Sequence, residues 1–280
     1  MDRTSGTNRA RTALTALATA SVFTGLLVTA TGPAAADKGA TVEGPKPTVV
    51  LVHGAFADST SWNDVVRELR HDRYPVVAVA NPLRSLSGDS TYLKEVLAGI
   101  DGPIVLAGHS YGGSVISNAA TGNENVKALV YLAAFLPEKG ESAADLAAKF
   151  PGSTLGDALR SVPTTNADGS QTNDLYIRSD KFHHQFAADV HRATTDLMAV
   201  TQRPITDTAL AGEAAEPAWK TIPSWVLVAT QDRNIPPAAQ EFMAQRAHAH
   251  TSKARASHAV SVSQPGKVTE VIEDAARSVR

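Results

Sequence analysis

Five short apolar runs punctuate the chain, separated by stretches whose apolar residues recur at helical spacing. Thr48–Val52, Pro75–Val79, Ile104–Ala107, Val126–Ala134 and Ser224–Thr230 are rich in Val, Leu and Ala, and the first is a continuous, largely β-branched run. All five read as strands, the unbroken first run as one covered on both faces. Between them lie amphipathic stretches. Trp62, Val65, Val66 and Leu69 share one face of a helix over residues 60–70. Tyr92, Leu93, Val96, Leu97 and Ile100 do so over 89–100. Residues 111–121 are small or β-branched and suit a buried helix. Further helices are predicted at 237–247 and 267–278, with a short extended piece around 251–257. Strand alternating with helix at these spacings predicts right-handed parallel crossovers, hence an α/β, doubly wound, mostly parallel sheet.

The alternation fails between residues 136 and 223. Pro137, Pro151, Pro163, Pro204, Pro217 and Pro223 break the segment, and helical periodicity is scattered, best at 182–201. An insertion of this length beside a strand end predicts a helical cap on the scaffold. It also fails before residue 47. Arg3, Arg9 and Arg11 precede an uncharged Ala-, Leu-, Thr- and Val-rich stretch over 12–32, and Ala34–Ala36 supplies small residues for cleavage. This is the layout of a secretory signal peptide, residues 1–36, cleaved near Ala36. A membrane anchor is the rival reading, but Thr15, Thr19, Ser21, Thr24, Gly25, Thr29 and Thr31 dilute the apolar run. There is no adjacent Arg pair, so the Sec route is expected, leaving a secreted protein with no stable membrane anchor. Residues 37–280 then form a single domain that carries the insertion.

Composition narrows the classes. Of 280 residues, 43 % are hydrophobic and 19 % charged, with a net charge of −2, which offers no electrostatic footprint for nucleic acid. Cysteine is absent. A secreted chain without disulfides depends on its packed core, and thiol nucleophiles and thiolate metal sites are excluded.

Chemistry concentrates at the strand ends. Gly108-His109-Ser110-Tyr111-Gly112-Gly113 follows the third strand and contains G-x-S-x-G, a sharp strand-to-helix turn that exposes a serine nucleophile. Serine needs a base, and the base needs a carboxylate to orient it. Asp232 stands two residues past the run 224–230, and His258 follows in a loop before the last helix. Together they give the order Ser, acid, His. Glu138, beyond the run 126–134, is a reserve acid. Attack on a carbonyl makes an oxyanion that needs preorganised donors. The N–H of Tyr111 is one, and the His53-Gly54-Ala55-Phe56 loop supplies the other through Ala55. His53 itself is expected to brace that loop. Phe56, Tyr111, Phe182 and His183 are candidate substrate contacts. For any single aromatic residue of the insertion, burial in the cap's own small core is the favoured reading, and for His183–His184 a solvated pair is favoured. No metal-ligand spacing or phosphate loop is seen, so no metal or other cofactor is expected.

These segments resemble the α/β-hydrolase superfamily. VVLVHGAF, GHSYGG, ATQDRNIP and ASHAV match its signature loops in order, over about residues 47–278. The resemblance is to the small-capped serine esterase branch, with the plant methylesterases, hydroxynitrile lyases and bacterial pyrethroid-type esterases. It implies Ser110 as nucleophile, His258 as base and Asp232 as its partner. The lyases of this branch place Lys directly after the His; here Ala259 stands there. Many dehalogenases and epoxide hydrolases of the fold carry Asp where Ser110 stands. The expected activity is cleavage of a carboxylic ester or lactone of a small apolar molecule. Hydrolysis of a C–C bond and a non-catalytic ligand-binding relative are the alternatives.

Overall fold

The computed structural model describes residues 45–166 and 168–279; the signal peptide expected over residues 1–36 lies outside them. Six parallel strands form the main sheet: β1 (Thr48–Val52), β2 (Val76–Val79), β3 (Ile104–His109), β4 (Val126–Leu132), and two later ones at Ser224–Ala229 and His250–Ala254. Between β4 and Ser224 a second, antiparallel sheet holds β5 (Leu159–Thr165), β6 (Gln171–Ile177) and the short β7 (Ile205–Thr206). The strands at Ser224–Ala229 and His250–Ala254 are therefore β8 and β9, and the main sheet runs β2-β1-β3-β4-β8-β9.

Side-chain alternation along each strand divides the interior into two cores. Val50, Val52, Ile104, Leu106, Leu129, Tyr131, Val226 and Val228 point to one face. Val49, Leu51, Val105, Ala107, Val130, Leu132, Trp225 and Leu227 point to the other. Because both sets are buried, the strands read in sequence as apolar runs, interrupted in β4 by exposed Lys127, as the period of two demands when neither face meets water. Helices α1 (Asn63–His71) and the last one (Pro265–Arg277) cover the second face. The first face is covered by α2 (Leu86–Ala98), α3 (Tyr111–Ala119) and the helix at Pro237–Arg246. Ser85 caps α2, its hydroxyl accepting from the Gly88 N–H at 3.1 Å, which starts this helix three residues before the apolar periodicity does. Edge strand β9 is polar and largely exposed, as an edge must be to discourage pairing with other chains.

The insertion differs from the sequence expectation in one respect. Its helices are α4 (Ala143–Ala148), α5 (Leu155–Ala158), α6 (Ser179–Phe186), α7 (Arg192–Thr201) and α8 (Asp207–Leu210), and the periodicity over 182–201 resolves into α6 and α7 with a break at 187–191. It also contains the β5-β6-β7 sheet, which helical patterning did not suggest. Pro163 reads as a breaker in sequence. In the structure it lies in β5, an edge strand paired only to β6, where a missing N–H costs no ladder bond on the open side.

Downstream come α9 (Pro237–Arg246), α10 (Val260–Ser263) and α11 (Pro265–Arg277). Strands β3 and β8 end at one rim of the parallel sheet, and the loop after β9 returns to it. That rim is where open α/β sheets place their chemistry.

Candidate active site

The turn between β3 and α3 is forced rather than relaxed. Ser110 has φ 55° and ψ −126°, a conformation that side chains other than glycine rarely adopt. Its carbonyl accepts from Gly113 N–H at 3.0 Å and Phe135 N–H at 3.2 Å, which ties the strained residue to two neighbours. The flanking glycines permit the turn because there is no room for a Cβ. One built on Gly112 would lie 2.5 Å from Val52 O, and one on Gly54 would lie 2.6 Å from Ser110 Cβ. The His53–Phe56 loop is thus pressed directly against the serine.

The three residues picked from widely separated motifs converge. His258 Nε2 lies 2.8 Å from Ser110 Oγ, and His258 Nδ1 lies 2.7 Å from Asp232 Oδ2. All three are buried; the serine keeps 6 % of its surface exposed. A carboxylate only accepts, so Nδ1 carries the proton, and in the neutral ring Nε2 is left to accept from the serine hydroxyl. Asp232 is itself fully engaged. Its Oδ1 accepts from the N–H groups of Asn234 (2.7 Å) and Ile235 (3.0 Å), and its Oδ2 from Gln240 Nε2 (2.9 Å) as well as from His258. Gln240 also donates to Ile235 O and accepts from Ala229 N–H, fastening the end of β8 to the acid loop. Glu138, the reserve acid, is on the surface and pairs with Lys220 at 2.6 Å.

Two further histidines brace the loops. His53 donates from Nδ1 to Gly54 O (2.9 Å) and accepts at Nε2 from Asn81 N–H (3.0 Å), as its position in the loop led us to expect. Burial lowers its pKa, consistent with a neutral ring. His109 donates from Nε2 to His258 O at 2.8 Å, holding the His258 loop by its backbone. Complete burial, with the nearby His258 adding to it, takes His109 down to about 3. It is neutral at physiological pH and contributes a fixed N–H.

Of the four N–H groups around the serine, that of Phe56 donates to Arg203 O in the insertion at 2.9 Å, and that of Ser110 to Leu132 O at 3.3 Å. No hydrogen bond among the described residues engages the N–H of Ala55 or of Tyr111. Phe56 has φ 61°, in the left-handed region that residues other than glycine rarely adopt.

The candidate substrate contacts are distributed unevenly. Phe56 is buried with its ring 6.3 Å from Phe186, edge to face. Phe186 in turn contacts the His258 ring at 5.1 Å, and Phe182 contacts Phe186 at 5.1 Å. Phe182 is thus one ring removed from His258. His183 is half-buried, with Nδ1 3.0 Å from Thr195 Oγ1 in α7, a contact internal to the insertion. The Tyr111 side chain departs from the expected placement. It runs toward α2 and donates to buried Asp89 Oδ2 at 2.8 Å, leaving its backbone N–H as the part that faces the turn. Asp89 was not singled out in sequence; burial raises its pKa, and the bonds from Arg84 N–H and Tyr111 oppose that rise. Beside Phe56, a cavity of about 230 Å³ is lined in part by Ala57, Asn63, Thr194, Met198 and Val262. Among the described residues no three His, Cys, Asp or Glu side chains gather as a metal site requires.

Known proteins resemble this arrangement in sequence and in fold. A 106-residue segment is 35 % identical to the carbendazim hydrolyzing esterase of Nocardioides sp. (strain SG-4G), covering 33 % of this chain and 44 % of that protein, so the match spans less than half of that relative's length. The alpha/beta hydrolase nvfD of Aspergillus novofumigatus (strain IBT 16806) is 26 % identical over 257 residues, 82 % of this chain and 97 % of that protein. Among solved structures, polyneuridine aldehyde esterase superposes with a TM-score of 0.71 at 21 % identity, over 82 % of this chain and 98 % of that one. The family model described as alpha/beta hydrolase family matches residues 49–271. A parallel sheet with a serine at its strained turn and a match over most of the chain have one reading: the chain belongs to the alpha/beta hydrolase family.

Proposed function

We propose that this protein is a serine hydrolase that cleaves a carboxylic ester or lactone of a small apolar compound through an acyl-enzyme on Ser110. The observation that carries the reading is the buried, continuous hydrogen-bonded line from Ser110 Oγ through His258 to Asp232. His258 Nε2 removes the hydroxyl proton as Oγ attacks the carbonyl carbon. The carbonyl π pair moves onto oxygen, toward the N–H groups of Ala55 and Tyr111. Collapse of that intermediate expels the alkoxide, which takes the proton from His258. A water molecule then gives its proton to His258 and attacks the acyl carbon, and the second collapse returns the proton to Ser110 Oγ. Asp232 keeps the imidazole in the required tautomer throughout.

The esterase named above, matched over part of its length, supports an ester as substrate. The apolar preference is supported by the Phe56, Phe182 and Phe186 rings packed beside His258; the cavity beside Phe56 is mixed in character, with Asp58, Asn63 and Gln202 in its lining as well as Met198 and Val262. We propose in addition that residues 136–223 act as a cap that chooses the substrate. We also propose that residues 1–36 are removed on export, an event the mass of the exported protein would report. Ala259, buried and uncharged, puts no ammonium after His258, which favours hydrolysis over lyase chemistry.

The test is direct. Residues 37–280 should turn over a short-chain p-nitrophenyl ester and be labelled by a fluorophosphonate, and Ser110→Ala should lose both. Turnover that persists in Ser110→Ala removes the serine mechanism. Absence of turnover and labelling in the wild type favours a ligand-binding relative.

A further inference from the structure

Residues 185–189, where α6 ends, reach both loops that carry the acid and the base. Gln185 is buried, and every polar atom of its side chain is used. Its Nε2 donates to Arg233 O (2.9 Å) and to Asn234 Oδ1 (2.8 Å), and its Oε1 accepts from Thr154 Oγ1 (2.8 Å). Asn234 is the residue whose N–H donates to Asp232 Oδ1. One amide therefore fixes the acid loop immediately beside the carboxylate. On the other side, Phe186 O accepts from Ala259 N–H (3.0 Å), and the Asp189 carboxylate accepts from the N–H (3.1 Å) and the hydroxyl of Ser257. His258 is held at both of its chain neighbours, and the Phe186 ring packs on its imidazole.

A contact needed only to dock α6 would be served by apolar surface. Burying an amide is costly unless each of its donors and acceptors is paired, and here all the pairs lie on the loops at issue or on Thr154. The loop around His258 has no regular structure of its own from Arg255 to Ala259. Its geometry must therefore be supplied from outside. A displacement of about 1 Å in such a line of groups costs about 100-fold in rate.

We propose that Gln185 and Asp189 are positioning residues: the insertion clasps the Asp232 and His258 loops together and so sets the geometry of the pair. This rests on the serine-hydrolase reading above. It further implies that the segment governing substrate access also tunes the chemical step.

The experiment compares Gln185→Met, which keeps length and removes all three hydrogen bonds, and Asp189→Ala, at an exposed side chain, with the wild type. Three readouts are needed: kcat and KM on a p-nitrophenyl ester, cooperative unfolding in urea, and the low-field proton NMR signal of His258 Nδ1, assigned by its loss in His258→Gln. We expect cooperative unfolding, KM within about twofold, kcat lowered by about 30- to 100-fold, and a broadened or shifted His258 signal. A kcat within about twofold of wild type, or a loss carried wholly by KM, overturns the proposal. If Gln185→Met does not fold, Asp189→Ala decides by the same criteria. If the wild type turns over no ester, the hydrolase reading fails by itself, and the NMR signal still decides: an unchanged signal in the variants overturns the clasp.

Discussion

Replacing Asp232 by Asn changes one atom and, on the geometry found here, disables the base without displacing it. The two oxygens of Asp232 are not equivalent. Oδ1 faces two backbone donors, the N–H groups of Asn234 and Ile235, so the Asn oxygen must take that position. Its NH2 group then occupies the Oδ2 position, opposite Gln240 Nε2 and His258 Nδ1. A donor there forces His258 Nδ1 to accept. The proton moves to Nε2, and Ser110 Oγ faces an N–H instead of a lone pair. Loss of the correct tautomer lowers kcat by about 10,000-fold, equivalent to about 5.4 kcal/mol of transition-state stabilisation. Gln240 gains an unfavourable donor–donor contact in a buried site, so stability falls as well, by about 1–3 kcal/mol. Steady-state hydrolysis of a p-nitrophenyl ester and urea unfolding measure the two effects separately. Glu138→Gln is the control: that side chain is partly exposed and loses only its surface pair with Lys220, so its kcat should stay near wild type. An Asp232→Asn enzyme retaining more than about a tenth of wild-type kcat would refute the tautomer reasoning.

Other expectations follow from strain and charge. Ser110→Gly and Ser110→Ala should both be inactive, yet the glycine variant should be more stable by about 1 kcal/mol in urea, because it relieves the left-handed backbone at φ 55°; equal midpoints would mean that the turn stores no strain. Glu141 forms a two-point pair with Arg246, at 3.0 and 2.9 Å. Burial alone would raise its pKa, but the bonds from Arg246 and from Glu138 N–H bring it below the ordinary 4.5. A depressed carboxylate stabilises the fold above its unfolded-state pKa and loses that contribution as pH falls through the folded one. The melting temperature of Glu141→Gln should therefore lie below wild type at neutral pH and converge with it under acid conditions. A gap independent of pH would rule out the charge as its source.

The scaffold was legible because β1, β3, β4 and β8 are buried on both faces and so appear as apolar runs, with Lys127 in β4 the exposed interruption. Ser110, Asp232 and His258 were legible by position, each falling just beyond a strand end. The hairpin of β5 and β6 was not. Its strands are polar and half-exposed, and Pro163 speaks against a strand unless it is known to lie on an edge. The Tyr111 side chain could not be placed either, since sequence shows no reason for it to seek Asp89 in α2. Gln185 and Gln240 carried no signal at all. Each is a polar residue inside a helix, and each acquires its role only from the loop that the tertiary fold sets against it.

The strand order has a consequence for how the protein comes into being. Ser110 follows β3, but β8 pairs with β4 only after residues 133–223 have been placed, and His258 follows β9, the strand furthest along the described residues. Long-range parallel pairings of this kind are slow to form. A chain that has built its first four strands already holds a serine on its turn and has nothing to activate it. On the proposed mechanism the Ser110–His258 pair cannot form until β9 has docked, so the return of turnover after dilution from denaturant would follow that docking rather than the collapse of the core.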